Sequence, residues 1–197
     1  MKFIEDIQQF VPSCEQERRD RELFLQVATN NPDCLRRKSK LVHFTSSALV
    51  VNEEREKILC CYHKIDDGWT WLGGHVDGND NFSEVAQTEA KEESNIKKLK
   101  QIGNGIFTLQ SVPVSPHYRR GTFIPAHVHL DCAYLFVADE KQKLRPRLDE
   151  NKGVEWLGFD ELIRRSEKKL THRIPFYRKV IDKLERNVVT LQCEKSS

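Results

Sequence analysis

The stretch WTWLGGHVDGNDNFSEVAQTEAKEESNI, residues 69–96, decides how this chain is read. It runs from an aromatic strand end through a glycine-rich turn into a helix. Asn81 is a residue type that caps helices through its side chain, and Glu84 three residues later completes an Asn-x-x-Glu capping box. Asn95 tolerates the left-handed backbone used just past a helix end. The predicted helix therefore covers 82–94. At about 100° per residue, Phe82, Val85, Ala86 and Ala90 share one side, and Glu89 and Glu93 fall within about 20° of that stripe's centre. Glu92 lies at its edge, while Glu84, Gln87 and Lys91 cover the opposite face.

That asymmetry carries chemical information. Outward glutamates at (i, i+4) cost only a few tenths of a kcal/mol, whereas a desolvated carboxylate must be paired, protonated or bound to a cation. The helix alone leaves two solutions open: arginines from elsewhere, or a hard divalent ion that prefers oxygen ligands. Gly73 and Gly74 add a second hint, because glycine lets backbone approach a ligand closely.

In this order of parts the sequence resembles the Nudix hydrolase family, whose box is written G-x5-E-x7-R-E-U-x-E-E-x-G-U, with U a bulky aliphatic residue. Aligned on Gly74, the chain keeps Gly74, Glu89, Glu92, Glu93 and Ile96. Ala90 is a weak match for the first aliphatic position. Asp80 replaces the first glutamate, Thr88 the arginine and Asn95 the second glycine, and Leu72 stands where proline is common before the box. The family arginine helps orient the catalytic glutamate, so Thr88 is the departure with consequences. Asp80 is read as its matching change.

The resemblance implies an α/β protein, a Nudix-type α/β/α sandwich with a mixed sheet. It implies metal binding by Gly74 (through its carbonyl), Glu89, Glu92 and Glu93, with Mg2+ or Mn2+ as cofactor, and Glu89, Glu92 and Glu93 as the catalytic set. The reaction implied is attack of activated water on phosphorus in a nucleoside diphosphate linked to another group. Glu89 and Glu155 are the candidates for general base. The competing reading is a catalytically weak or inactive Nudix-fold nucleotide-binding module, for which Thr88 argues. The isomerase branch that acts on isoprenoid diphosphates is a further alternative, but its cysteine and glutamate have no clear place here.

Outward from the box, 43–52 and 57–65 are apolar and β-branched around a charged turn and read as a β-hairpin. Strands are expected near 105–114, 126–138 and 153–157, followed by a helix at 160–166 and a closing helix from Pro175 to about Leu191 with Phe176, Val180, Ile181 and Leu184 inward. Residues 1–40 read as a peripheral helical extension, in which Ser13 and Gln16 cap a helix whose stripe is Leu23, Phe24 and Val27. Residues 41–197 form the expected catalytic domain.

Among the remaining polar residues, His127 and His129 share one strand face. Contact with phosphate, proton transfer and metal binding are all open to them, but no third nitrogen or thiolate is evident in the sequence, so zinc is not expected. His127, His129, Arg119 and Trp71 are the candidates for substrate binding. His117, Arg119 and Arg120 make a phosphate clamp or a solvated loop.

Composition narrows the partners. The 32 basic and 30 acidic residues leave a net charge of +2 with the signs interspersed, which argues against a nucleic-acid polymer as partner; a small nucleotide-type diphosphate as substrate is what the resemblance implies. Glu5 and Asp6 interrupt any signal-like apolar run, and no stretch approaches membrane-spanning length, so no membrane partner is expected. Six cysteines without a CxxC pair suggest reduced thiols in a cytoplasmic setting. Adjacent Cys60 and Cys61 should point to opposite faces of a strand, one buried and one exposed. A homodimer is compatible with everything read here.

Overall fold

The computed structural model describes residues 1–119 and 121–195, with side chains described as far as Arg186. Helices α1 (Lys2–Gln9) and α2 (Glu15–Asn30) lead into strands β1 (Val42–Val51), β2 (Lys57–His63) and β3 (Gly68–His75). Helix α3 (Phe82–Ser94) follows, then β4 (Lys100–Gln101), β5 (Thr108–Val114), β6 (His117–Arg119), β7 (Thr122–Ile124) and β8 (His127–Val137). Strand β9 (Asn151–Gly158), α4 (Phe159–Ser166), a short 3-10 turn (Thr171–Arg173) and α5 (Ile174–Lys195) complete the chain.

Seven strands form one mixed sheet in the order β4-β8-β1-β3-β2-β9, with β5 also paired to β8. The long β1–β8 pairing is parallel, and the other pairings in this sheet are antiparallel. Helices cover both faces, as the α/β/α reading expects. On one side Phe44, Ala48 and Val50 of β1 pack with residues of α1, α2 and α3. On the other, Leu49 and Val51 pack with Leu162 of α4 and with Tyr177, Val180 and Leu184 of α5. A sheet covered on both faces needs apolar residues at successive positions, which accounts for the unbroken run in β1.

The same two-sided cover corrects the expectation for the cysteines. Cys60 and Cys61 do point to opposite faces, but both are buried, at 0% and 1% exposure, because neither face is open to water. The expected hairpin is also modified. Strands β1 and β2 are paired only at Val51 and Ile58. Beyond that point they diverge, and β3 fills the fork, pairing with β1 through Leu72–His75 and with β2 through Gly68–Trp71. The connection expected to be a plain loop holds the two-stranded ribbon β6–β7.

The N-terminal segment is not peripheral to the core. Phe3 stacks on Phe82 with centroids 5.1 Å apart and meets Phe44 edge-on at 5.3 Å, and Phe24 meets Phe44 at 5.6 Å. The buried side of α2 is Glu17, Phe24 and Ala28, with Leu23 outside at 39% exposure. Glu17 accounts for the rotation. Its buried carboxylate accepts hydrogen bonds from the Ser13 N–H (2.8 Å) and hydroxyl (2.9 Å), from Thr108 Oγ1 (2.7 Å) and from Lys183 Nζ (3.3 Å). Ser13 therefore pairs with Glu17 rather than Gln16, and the pairing ties α2 to β5 and α5. No helix among the described residues is long and apolar enough to cross a membrane.

Because Phe24 is fully buried between α2 and the sheet, Phe24→Ala should cost about 3–5 kcal/mol in urea-denaturation stability. A loss below about 1 kcal/mol would show that α2 does not share the core.

Candidate active site

Helix α3 spans Phe82–Ser94 and ends on Asn95 with φ 62°, as the sequence predicts. Its start is held differently from the expected capping box. The Asn81 side chain makes no bond to the helix backbone; its Oδ1 accepts from Lys2 Nζ at 2.6 Å and its Nδ2 donates to Glu84 at 3.2 Å. The chain's N-terminal helix takes the amide that a local cap would use.

The orientation of the three glutamates follows the helical projection. Glu93 is 3% exposed. The Gly73 N–H donates to its Oε2 at 2.8 Å, and Asn151 Nδ2 donates to its Oε1 at 3.0 Å. Glu89 lies against Gly74 so closely that a Cβ there would stand 2.5 Å from the Glu89 carboxyl carbon. Any side chain at this position would push the Glu89 carboxylate out of its present place. Glu92 is on the rim and pairs with Arg147 at 3.0 Å.

Electrostatics separate these groups. Burial, reinforced by the neighbouring charges of Glu93, Glu92 and Glu150, pushes the Glu89 carboxyl up to about 7. Burial also raises Glu93, against the two hydrogen bonds that favour its charged form. Arg147 is the local cation. The loop carrying it is pinned to the end of α3 by the Arg145 N–H to Ser94 O (2.8 Å) and the Arg147 N–H to Glu93 O (3.2 Å). Its guanidinium is shared by Glu92, Asp149 (3.3 Å) and Glu150 (3.7 Å). The repulsion felt by Glu89 outweighs its pull, and among the described residues Glu89 makes no ion pair. Neutralisation by arginine is therefore incomplete, and the donor set fits a hard divalent cation.

Two departures from the family box find their places here. Thr88 is on the exposed side of α3, and Arg147, from a loop distant in sequence, supplies positive charge beside the glutamates instead. Asp80 does not join this network; its carboxylate accepts the Lys2 backbone N–H at 3.4 Å. The expected compensation between Asp80 and Thr88 is thus absent from the structure.

The other candidates divide. Arg119 pairs with Glu150 at 3.2 Å, which draws the β6–β7 ribbon toward the Arg147 loop. Trp71 is in the core, edge-on to Tyr177 at 5.0 Å, so its ring is packing rather than a stacking platform. Glu155 is bound by Arg165 at 2.9 Å and stands outside the carboxylate cluster. His117 directs Nδ1 at Ser115 O (2.9 Å), and Arg120 lies outside the described residues. His127 and His129 touch through their Nε2 atoms at 3.0 Å. His43 and His75 stand beside them, which corrects the expectation that no third nitrogen is at hand. Reading the sequence alone missed Arg147, Glu150, Asn151, His43 and His75. The one local signal was His75, directly after Gly74.

A mixed sheet between helical layers, with a glycine turn feeding a helix that turns glutamates inward, is the architecture of a class of hydrolase. A family model for the NUDIX domain matches residues 42–183. The chain belongs to the Nudix family and is a Nudix hydrolase. It is similar in fold to the MutT protein from Methanosarcina mazei Go1, at 15% identity, covering 76% of this chain and 96% of that one, with a TM-score of 0.52. An Ap4A hydrolase from C. elegans is similar at 15% identity, with 75% and 98% covered and a TM-score of 0.50. A NUDIX-family hydrolase from Clostridium perfringens is similar at 21% identity, with 73% and 96% covered and a TM-score of 0.50. No curated protein matches the sequence.

The raised Glu89 carboxyl has a stability consequence. Its folded-state value of about 7 exceeds its ordinary 4.5, so the folded protein holds the proton more tightly than the unfolded chain. The penalty is absent below about pH 4.5, grows through the window up to 7 and is full above it. In metal-free protein Glu89→Gln should therefore stabilise by on the order of 1–3 kcal/mol at pH 8 and by little at pH 4.5. Urea denaturation at the two pH values checks this; an effect independent of pH would contradict it.

Proposed function

We propose that the protein is a pyrophosphohydrolase dependent on Mg2+ or Mn2+ that cleaves a phosphoanhydride in a nucleoside diphosphate linked to another group. The observation that carries this reading is the inward pair Glu89 and Glu93, packed against Gly74 and Gly73 without enough positive charge to balance them. Glu89, Glu92, Glu93 and the Gly74 carbonyl would hold the ion. When bound, it supplies charge neutralisation at the phosphoryl oxygens and a lowered pKa for water.

The chain's own residues do the positioning. Gly73 and Asn151 fix Glu93, so one carboxylate presents a constant face. Arg147 holds Glu92 at the rim. Of the two candidates for general base, Glu155 is engaged by Arg165, which leaves Glu89, the candidate that stands in the carboxylate cluster. Arg119 is the residue we assign to the substrate; His127 and His129 lie on the sheet face turned away from Glu89 and Glu93, and the burial of Trp71 argues against a stacking role for it. Residues 41–197 would carry the activity, with 1–40 as a structural extension. Among the described residues five cysteines are free, four of them buried, which supports a reducing cytoplasmic setting. The names of the similar Ap4A hydrolase and MutT proteins accord with a small nucleotide substrate rather than a nucleic-acid polymer.

A second reading, a nucleotide-binding module with little turnover, is favoured by Thr88, since the family arginine is missing. A Mg2+- and Mn2+-dependent screen over ADP-ribose, dinucleoside polyphosphates, nucleotide sugars, coenzyme A and nucleoside triphosphates separates the two. We expect turnover of at least one, and Glu93→Gln should lower kcat at least about 100-fold, as the loss of several kcal/mol of charge stabilisation implies. Arg147→Ala should lower it about 10-fold, a loss of about 1.4 kcal/mol. Nucleotide binding without turnover across the panel would establish the binding module, and unchanged turnover in Glu93→Gln would refute the metal site.

A further inference from the structure

His43, His75 and His129 come from three different strands, and one ring nitrogen from each lies within 4.8 Å of the others. His43 and His129 are register partners on parallel β1 and β8, and Thr45, two residues after His43, is the partner of His75 on β3. Alternation along β3 sends Leu72 and Val76 toward α3 and Trp71 toward α5, so His75 projects away from the glutamate side of the strand. His127 completes a group of four imidazoles with centroids 4.8–5.1 Å apart in five of their pairs.

Packed histidines are commonly explained as a hydrogen-bonded cluster, and here that explanation leaves a remainder. Only a protonated ring nitrogen can face a carbonyl, so the contacts of His43 Nδ1 with Ser39 O (2.9 Å) and of His127 Nδ1 with Pro125 O (2.8 Å) fix both tautomers. Nε2 of each is then a bare lone pair. His43 Nε2 is buried and, among the described residues, has no hydrogen-bond partner, an unfavourable arrangement for a buried polar atom. His127 Nε2 faces His129 Nε2; whichever nitrogen of neutral His129 carries its proton, the other is bare.

We propose that His43, His75 and His129, with His127 beside them, form a binding site for a borderline divalent transition-metal ion, foremost Zn2+, distinct from the carboxylate site. Neutral imidazoles prefer zinc and its neighbours, whereas the glutamates prefer Mg2+ or Mn2+. Three nitrogens no more than 4.8 Å apart come within about 1 Å of the zinc–nitrogen distance of about 2.0–2.1 Å around a common centre, a gap that side-chain rotation closes. A carbonyl accepting the remote N–H of a ligating imidazole is the usual way such a ring is oriented, and Ser39 supplies it for His43. Three protein nitrogens leave a fourth position open on the ion.

The test is calorimetric titration of chelator-treated full-length protein with Zn2+ in saturating Mg2+, repeated on His43→Gln, His129→Gln and Glu93→Gln. One zinc per chain is expected, with affinity falling at least about 100-fold in either histidine variant and unchanged in Glu93→Gln. In the wild-type protein, imidazole NMR resonances of His43, His75 and His129 should move on adding zinc while those of His63 and His172 stay, a readout that does not depend on how the variants fold. No zinc binding to the wild type, wild-type affinity retained in both histidine variants, or NMR shifts confined to other residues would overturn the proposal. Loss of zinc binding in Glu93→Gln alone would place the ion at the carboxylates and overturn it too. Failure of the hydrolase reading would leave these results unchanged.

Discussion

The contact between α3 and the end of β3 sets the terms for the rest of the molecule. The Gly73 N–H and the side chain of Asn151 grip Glu93 from two strands, and Gly74 leaves room for Glu89 to rest on the backbone. A carboxylate so placed cannot be solvated as it would be on a surface helix, and its charge must be met locally. The fold meets it only in part, with one arginine shared among several acids. The remaining deficit of positive charge is the physical basis of the metal site proposed above, and the absence of a side chain at Gly74 lets Glu89 approach the strand.

Much surrounding structure serves to hold that contact rigid. Phe82, at the first turn of α3, is stacked by Phe3 of α1, so the N-terminal segment braces the helix from outside the family-matched region. The Arg147 loop is hydrogen-bonded to the last turn of α3, which places a cation at the rim and brings Asn151 to Glu93. The position vacated by the family arginine is exposed at Thr88, and positive charge reaches Glu92 from Arg147 in another part of the chain. A site can thus lose a residue of its motif and keep part of the electrostatics.

Helical periodicity made the glutamate orientation and the Asn95 terminus legible in the sequence, because both depend on spacing within one element. What depends on juxtaposition was not legible. Asn81 looked like a cap but is engaged by Lys2, far away in sequence. The β1–β2 hairpin was expected from proximity along the chain, yet β3 enters between the two strands. Cys60 and Cys61 alternate as expected, but their common burial reflects helices on both faces. The four histidines meet through a parallel register between β1 and β8 that no local pattern encodes. Glu155 and Trp71 had suitable chemistry and were placed elsewhere by an ion pair and by core packing.

Glu89 carries an electrostatic demand that the proposed divalent ion would satisfy. Its side-chain carboxyl can be followed directly by carbon-detected NMR across a pH titration, in metal-free protein and again in saturating Mg2+. The carboxyl should titrate at about 7 without the ion and well below that with it. Titration at an ordinary glutamate value in the metal-free protein, unmoved by Mg2+, would contradict the account.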